Sequence, residues 1–328
     1  MLKKICLIIV ASLGFGGTIH AEEMQQAAGF TIECKANEFQ HSDQSWYDLK
    51  MAPGQSTTLH LTINNISDQA ATYNIAVNPA VTSDNVVIDY STPVNVQLQT
   101  DGQPLLQLQN LVTLSDKRLN VAAHAKRAFT VDVKMPQQTF DGIVAGAIKV
   151  ERMSAKRSSG ITNEFALVKG LVVRQNNQVI KPELEVAKIK VGTYKNLPGV
   201  QVQLVNPANI NISGLKIDAN LIDSQSGKIV ATKACHDGSV APNSSFNYVF
   251  RSELPLPVGD YQFVGTATDR TGNQWHWKDP FVIKAGEMSK HNPVTIEQGL
   301  QWWWAIILLM GITITGLSWF IFNSRRNK

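Results

Sequence analysis

Between residues 30 and 283 apolar side chains recur at every second position in short runs, and the runs are broken by Gly, Pro, Asn, Asp and Ser. A period of two places alternate side chains on opposite faces, as in a strand with one face in a core and the other in water. The clearest run has Phe129, Val131, Val133 and Met135 alternating with Ala128, Thr130, Asp132 and Lys134. The same alternation appears in Leu59, Leu61 and Ile63, in Val200, Val202 and Leu204, in Leu215, Ile217, Ala219 and Leu221, and in Phe246, Tyr248 and Phe250. Turn pairs separate such runs at Pro53-Gly54, Asn64-Asn65, Asp141-Gly142, Ser226-Gly227, Asp237-Gly238 and Val258-Gly259. Many short strands with frequent turns predict an all-β protein of two immunoglobulin-like β-sandwiches. Residues 143–150 and 166–173 are apolar on both faces, which predicts strands covered on each side or packed on a neighbouring unit.

The polar step Gln175-Asn176-Asn177-Gln178, followed by Lys181-Pro182, marks a division. Residues 22–180 form the expected first sandwich and residues 181–284 the second, which has room for about seven strands. A weak echo links residues 58–77 with 199–221, since each has a strand, an Asn-containing turn and a strand.

The two ends carry different signals. Residues 1–21 open with Lys3 and Lys4, continue through an apolar stretch and end in small residues at Ala21 before Glu22 and Glu23, the pattern of a signal peptide. Residues 302–322 contain no charge, and at ~1.5 Å per residue they would cross about 30 Å of hydrocarbon as a single transmembrane α-helix. Trp302, Trp303 and Trp304 stand at one border of that segment, and Trp319 and Phe320 near the other. Arg325, Arg326 and Lys328 follow in a basic tail, residues 323–328, expected on the cytoplasmic side. Residues 285–301 serve as a juxtamembrane spacer. The expected location is therefore the cell membrane, single-pass, with the N-terminal ectodomain facing the cell wall and exterior.

Charge supports this topology. The chain has 30 Lys and Arg against 26 Asp and Glu. Five of the basic residues, Lys3, Lys4, Arg325, Arg326 and Lys328, lie in the terminal segments, so 30 less 5 leaves 25 against 26 in between. A net charge near −1 offers no concentrated basic face for a nucleic acid.

No catalytic signature stands out: there is no nucleophile elbow, phosphate-binding glycine loop, Cys-x-x-Cys or His-Glu-x-x-His. His41, His60, His124, His236, His276 and His291 are scattered, and the adjacent pair Cys235-His236 would point to opposite faces of a strand. Asp43 with Asp48, or Asp218 with Asp223, could be imagined as acid and base, but solvated strand faces and loop ends account for them. Cys34 and Cys235 fall in different expected domains and are read as isolated thiols, with Cys6 in the leader. Trp275-His276-Trp277 puts two tryptophans on one strand face, which serves either a core or an exposed platform for a sugar ring, with the core favoured. Gly142, Gly146 and Gly160 are read as turn, bulge or close-packing positions. No catalytic, cofactor-binding or metal-binding residue is assigned, and no cofactor is expected.

Three groups of residues carry a resemblance. Trp46-Tyr47-Asp48-Leu49 is followed by Ala52-Pro53-Gly54-Gln55 and Leu59-His60-Leu61-Thr62-Ile63-Asn64-Asn65; later come Met135-Pro136 and Phe140-Asp141-Gly142-Ile143-Val144-Ala145-Gly146-Ala147-Ile148. In these and in its order of parts, the chain resembles the WxL-interacting proteins of Gram-positive bacteria, although Gly146 stands alone between Ala145 and Ala147 where a Gly-Gly pair is expected. The resemblance implies a peptidoglycan-binding first domain, a second domain that binds host extracellular proteins, and partnership with surface proteins carrying the WxL motif. The chain has no Trp-x-Leu of its own, which fits the interacting partner. The resemblance transfers no ligand-binding residue. The expected function is a non-enzymatic surface scaffold for wall polymer and protein; the alternatives are a membrane-held assembly chaperone using a β-edge and, less favoured, a wall-modifying hydrolase.

Overall fold

The computed structural model describes residues 6–9 (as backbone), 28–91, 93, 106–153 and 164–288. The expected transmembrane segment 302–322, the spacer beyond residue 288, the tail 323–328, Gly160 and most of the leader lie outside the described residues. Among those described, no helix is long and apolar enough to cross a membrane.

The chain opens with β1 (Cys6–Ile9), β2 (Phe30–Cys34), β3 (Tyr47–Lys50), β4 (Ser56–Asn65) and β5 (Ala71–Pro79). A small hairpin follows, β6 (Val81–Thr82) and β7 (Ile88–Asp89), then a 3-10 turn at Leu108–Asn110. Next come β8 (Val112–Leu114), β9 (Arg118–Val121), β10 (Lys126–Lys134), β11 (Val144–Arg152) and β12 (Glu164–Arg174). The remaining strands are β13 (Glu185–Tyr194), β14 (Leu197–Asn206), β15 (Ile212–Asp223), β16 (Ile229–Val240), β17 (Ser244–Arg251), β18 (Gly259–Thr268) and β19 (Gln274–Ile283).

Two sheets enclose a first core. One runs β1-β12-β11-β5-β9 with β3 also on β12, and the other runs β2-β4-β10-β8. The alternation at residues 129–135 does what its period requires: Phe129, Val131, Val133 and Met135 are buried, facing Ile75, Ile148, Val150, Leu171 and Val173 of the opposite sheet. Strand β10 pairs with β4 in register, Phe129 opposite Leu61 and Val131 opposite Leu59. A second core lies between β13-β14-β17 and β16-β15-β18-β19, built on Val200, Val202, Leu204, Ile217, Leu221, Tyr248 and Phe263.

The doubly apolar runs prove to be neighbouring strands covered on both faces. In β11, Ile148 and Val150 enter the first core, while Ala147 and Lys149 are also buried on the outward side. There the chain after β7 folds back: Asn78 Nδ2 donates to the Tyr90 carbonyl at 2.8 Å, and the Lys149 ammonium meets Glu151 at 3.2 Å. Trp46 covers Gly170 of β12, where an added Cβ would lie 3.1 Å from the Trp46 Cβ.

The sequence echo has a structural counterpart. Asn64-Asn65 does not form a turn, since both residues end β4, but the fully buried Asn65 side chain braces the turn that follows. Its amide donates to the carbonyls of Gln69 (2.8 Å) and Ala122 (3.0 Å), and its oxygen accepts from the Ser67 N–H. Asn206 at the end of β14 repeats the pattern, donating to Ile210 (2.8 Å) and Ala241 (2.9 Å) and accepting from Ala208 N–H. An amide suits this position because it satisfies a donor and an acceptor of the bending backbone at once, where an apolar side chain would leave both orphaned.

Among the described residues, the two cores are tied at the β6–β7 hairpin and again near Asn209. The β6–β7 hairpin inserts into the second unit: Val86, at its tip, is 1% exposed and belongs to the second core. Ser239 N–H donates to the Val86 carbonyl at 2.8 Å, Ala241 N–H to Thr82 Oγ1 at 3.0 Å, and Thr82 and Ser244 share a 2.6 Å hydroxyl bond. Asp237-Gly238, expected as a turn, instead forms an irregularity within β16, and the missing side chain at Gly238 makes room for Val86. A Cβ there would come within 2.8 Å of Val86 Cγ1. At the second tie, Ile143 N–H donates to the Asn209 carbonyl at 2.7 Å and Asn209 Nδ2 to the Asp141 carbonyl at 3.1 Å.

Candidate functional site

The strongest surface feature is a seam in the second unit. Strands β13 and β19 are the outer strands of their two sheets, each hydrogen-bonded on one side only among the described residues. Two open clefts line up along this seam. The first, about 340 Å³, is bounded by Leu184, Glu185, Val186, Trp275, His276, Trp277, Lys278 and Asp279. The second, about 580 Å³, is bounded by Ile189, Val191, Tyr194 and Phe281, with Lys188, Lys190, Lys284 and Glu287 around them.

The two tryptophans divide between these roles. Trp277 is buried, stacks on Phe263 with ring centroids 6.0 Å apart, and donates its indole N–H to the Leu184 carbonyl at 3.2 Å. It is a core residue, because a buried indole needs an acceptor and this carbonyl supplies it. Trp275 is half-buried, packs against the same core from the outside and borders the first cleft. His276, pointing the other way, is exposed. Both residues border the cleft, but with Trp277 buried in the core they do not form an exposed two-ring platform. Farther along, Phe281 stacks on buried Tyr261 at 5.6 Å, which holds its ring at the second cleft. Apolar edge positions beside unpaired strand backbone can accept an extended peptide; the seam itself offers no nucleophile–base pair.

The other candidate groups have structural partners. Asp48 is buried and receives Arg174 Nη2 at 2.6 Å, Arg174 Nε at 3.0 Å and the Ser42 hydroxyl at 2.6 Å. It fastens the chain before β3 to β12, whereas Asp43 is exposed. Asp218 pairs with Lys216 at 3.5 Å on the surface. Asp223 accepts the Ser226 N–H and hydroxyl and the Gln225 N–H; these bonds, the Ser226 N–H first, hold its carboxyl below the ordinary range. Cys34 and Cys235 are free, half-buried thiols, and burial pushes each of them up, away from the thiolate. Cys235 and the exposed His236 alternate across β16, as adjacent strand residues must. Among the described residues no group of three His, Cys, Asp or Glu could hold a metal ion.

The glycine-containing strand after Asp141 is already engaged within the chain. Gly142 has φ +81°, and a Cβ there would lie 2.3 Å from the Asn209 carbonyl, so the backbone that approaches belongs to the second unit. Gly146 is packed on the Asn78 carbonyl and Leu108. Between the units remains a space of about 30 Å³ lined by Ala80, Leu108, Val144 and Pro242 among others, enough for a single water.

The architecture defines an all-β protein of multiple sheets, with an open-edged seam in its second unit. Two family models divide it: the peptidoglycan binding domain of WxL Interacting Protein matches residues 30–152, and the host binding domain of the same family matches residues 156–293. The chain belongs to the WxL-interacting protein family. Strand β12 falls within the second match but hydrogen-bonds to β11 and β3 of the first unit. No curated protein matches the chain. Among solved structures, the chaperone DraB of E. coli is 13% identical, with 78% of this chain and 96% of that chain covered at a TM-score of 0.27. The CupB2 chaperone of Pseudomonas aeruginosa is 11% identical, covering 72% and 97% at 0.28. A PapD-like domain of human CEP192 is 12% identical, covering 46% and 88% at 0.30. Such scores are too low to carry a functional inference.

Proposed function

We propose that the chain is a non-enzymatic, single-pass membrane protein of the cell surface, made of two immunoglobulin-like sandwiches. Residues 22–180 bind peptidoglycan, and residues 181–284 bind protein: WxL-motif surface proteins and host extracellular proteins. The observation that carries this reading is the pair of family matches spanning residues 30–293, one described as peptidoglycan binding and the other as host binding. The open seam between β13 and β19 supports a protein ligand for the second unit, since edge backbone and apolar clefts suit an extended chain. Binding without turnover is supported by the structural employment of Asp48, Asp218 and Asp223. The apolar segment 302–322 and the basic residues after it support the membrane anchor.

Sedimentation of the detergent-solubilised full chain with purified peptidoglycan tests the reading. The chain should pellet with the polymer, with little dependence on salt because its ectodomain charge is near neutral. Release of soluble muropeptides into the supernatant would show a hydrolase, and failure to pellet would remove the wall-binding role.

A further inference from the structure

The second unit has two ends. At one, where β14 finishes and β16 turns into β17, the first unit is tied on through Thr82, Val86 and the contacts of Asn209. The other end gathers the β13–β14 turn, the β15–β16 turn and the β17–β18 loop. Ser252 N–H donates there to the Pro198 carbonyl at 2.9 Å, and Ser224 N–H to the Asp260 carbonyl at 2.9 Å. The described chain also finishes at this end: Ile283 of β19 lies opposite Gly259, and the Met288 sulfur accepts the Leu256 N–H at 3.4 Å. Residues 289–301 alone separate Met288 from the apolar segment 302–322, and a stretch of that length reaches no more than about 45 Å. The β17–β18 loop is apolar where it protrudes. Leu254 and Val258 are 65% and 66% exposed, on either side of Leu256, which packs on the second core. The loop is fixed from below, since the Tyr261 hydroxyl donates to the Pro257 carbonyl at 2.9 Å and Pro255 and Pro257 restrict its backbone. Leu197 and Ile229 are exposed on the neighbouring turns.

We propose that this end of the second unit rests on the lipid surface of the membrane that segment 302–322 crosses, with Leu254 and Val258 inserted among the headgroups. The inference rests on the proposed membrane anchor and adds a second, reversible contact with the same bilayer. Large apolar side chains held outward on one tip gain free energy when a lipid phase covers them. The tether keeps that phase within reach, so a contact too weak to hold a free protein is still largely occupied. Because the loop is already ordered, insertion costs little conformational entropy. A protruding tip also suits a deformable lipid surface better than a protein groove, and neither cleft along the seam includes Leu254 or Val258. Lys195, Lys228, Arg251 and Lys284 at this end are nearly balanced by Glu253, Asp260 and Glu287, so the contact depends on apolar insertion rather than on anionic headgroups. The orientation follows. The 10 residues of β14, at about 3.3 Å each, set the tied end about 30 Å farther from the bilayer, so the first unit is presented outward. The β13–β19 seam then stands upright, with its Tyr194 and Lys284 end beside the lipid.

The test uses the full chain in phosphatidylcholine nanodiscs, with an environment-sensitive fluorophore on Leu254→Cys in a background of Cys6→Ser, Cys34→Ser and Cys235→Ser. Phospholipid carrying a nitroxide high on its acyl chain should quench this label about twofold or more beyond a label on Arg270→Cys, which is exposed at the tied end. A label on Leu197→Cys should be quenched as well. Adding Leu254→Glu and Val258→Glu should reduce that quenching about twofold and leave the melting temperature in place, because both side chains are exposed. Equal quenching at the two ends, or quenching at Leu197→Cys that ignores the two glutamates, overturns the proposal. A label on Leu254→Cys that is shielded from water yet untouched by the nitroxide lipid marks a protein cover, residues 289–301 or a second copy, and overturns it too. Co-elution with the nanodiscs separates the two premises. A chain that fails to co-elute sinks the membrane anchor and the proposal together, whereas a chain that co-elutes with an unquenched tip sinks only the proposal.

Discussion

Replacing Val86 tests whether the two units behave as one body. Val86 is 1% exposed in the second core although it belongs to the hairpin between the first unit's strands β5 and β8, and its φ is +59°, a region costly for a β-branched residue. Full burial of a valine side chain stabilises by about 1.5–3 kcal/mol, while the left-handed backbone costs about 1–2 kcal/mol. The hairpin therefore gains little from Val86 alone and depends also on the bonds at Thr82 and Ser239. Val86→Ala removes two methyl groups and leaves the backbone cost in place, a loss of about 1.5–2.5 kcal/mol including the cavity. Val86→Asp relieves some of the backbone cost but places a carboxylate among Leu215, Val240 and Phe246, so the hairpin should leave the second core. Scanning calorimetry of the full chain should show one transition for the native protein, shifted down by about 3–10 °C in Val86→Ala. In Val86→Asp it should split into two, with increased hydrogen exchange at residues 81–89 and 238–241. Gly238→Ala should act in the same direction through the 2.8 Å contact with Val86 Cγ1. A single unshifted transition in Val86→Asp would refute the docking.

Trp277→Ala should destabilise the second unit by about 3–5 kcal/mol, whereas Trp275→Ala should cost less than half of that and weaken protein capture, as followed by denaturant melts and pull-downs. Arg174→Met leaves the buried Asp48 carboxylate without its cationic partner and with only the Ser42 hydroxyl among the side-chain donors described above; after allowance for the partial exposure of Arg174, the loss should be about 2–3 kcal/mol in urea melts. For Asp269, burial would raise the carboxyl, but hydrogen bonds from Asn273 and Thr271 outweigh it and hold the group below its ordinary 3.8. A lowered folded-state value gives stability present above the unfolded value and lost as pH falls through the folded one. Melting temperature should therefore drop below about pH 4 in the native chain, and less steeply in Asp269→Asn, as measured by calorimetry across acid pH.

How much of this was legible follows from how local each cause is. The period of two at residues 129–135 is a local property, and β10 lies where it predicts, in register with β4. Residues 181–284 yield seven strands, β13 to β19, because each is bounded by its own turn residues. The echo between residues 58–77 and 199–221 was visible as composition, but its cause, a buried amide at Asn65 and Asn206 bracing a turn, needed the carbonyls of distant Ala122 and Ala241. Asn64-Asn65 and Asp237-Gly238 carry turn chemistry yet sit inside strands, since side-chain bonding in one case and a β-irregularity in the other use the same residue types. The β6–β7 hairpin had no periodic signal. Val86 and Val87 follow polar Asp84-Asn85, and only the second unit reveals which valine is buried. Gly142 was rightly a place of close backbone approach, but the partner is Asn209 of the same chain. Parallel pairing of β3 and β1 with β12 joins residues more than a hundred positions apart, beyond any local pattern.

The division of binding between the two units is tested most directly by hydrogen exchange on the full chain with soluble peptidoglycan fragments and, separately, with a captured surface-protein ligand. The fragments should protect amides within residues 30–152 and leave the β13–β19 seam unchanged, while the protein ligand should protect residues 185–194 and 274–283. Fragment protection confined to the second unit would contradict the account.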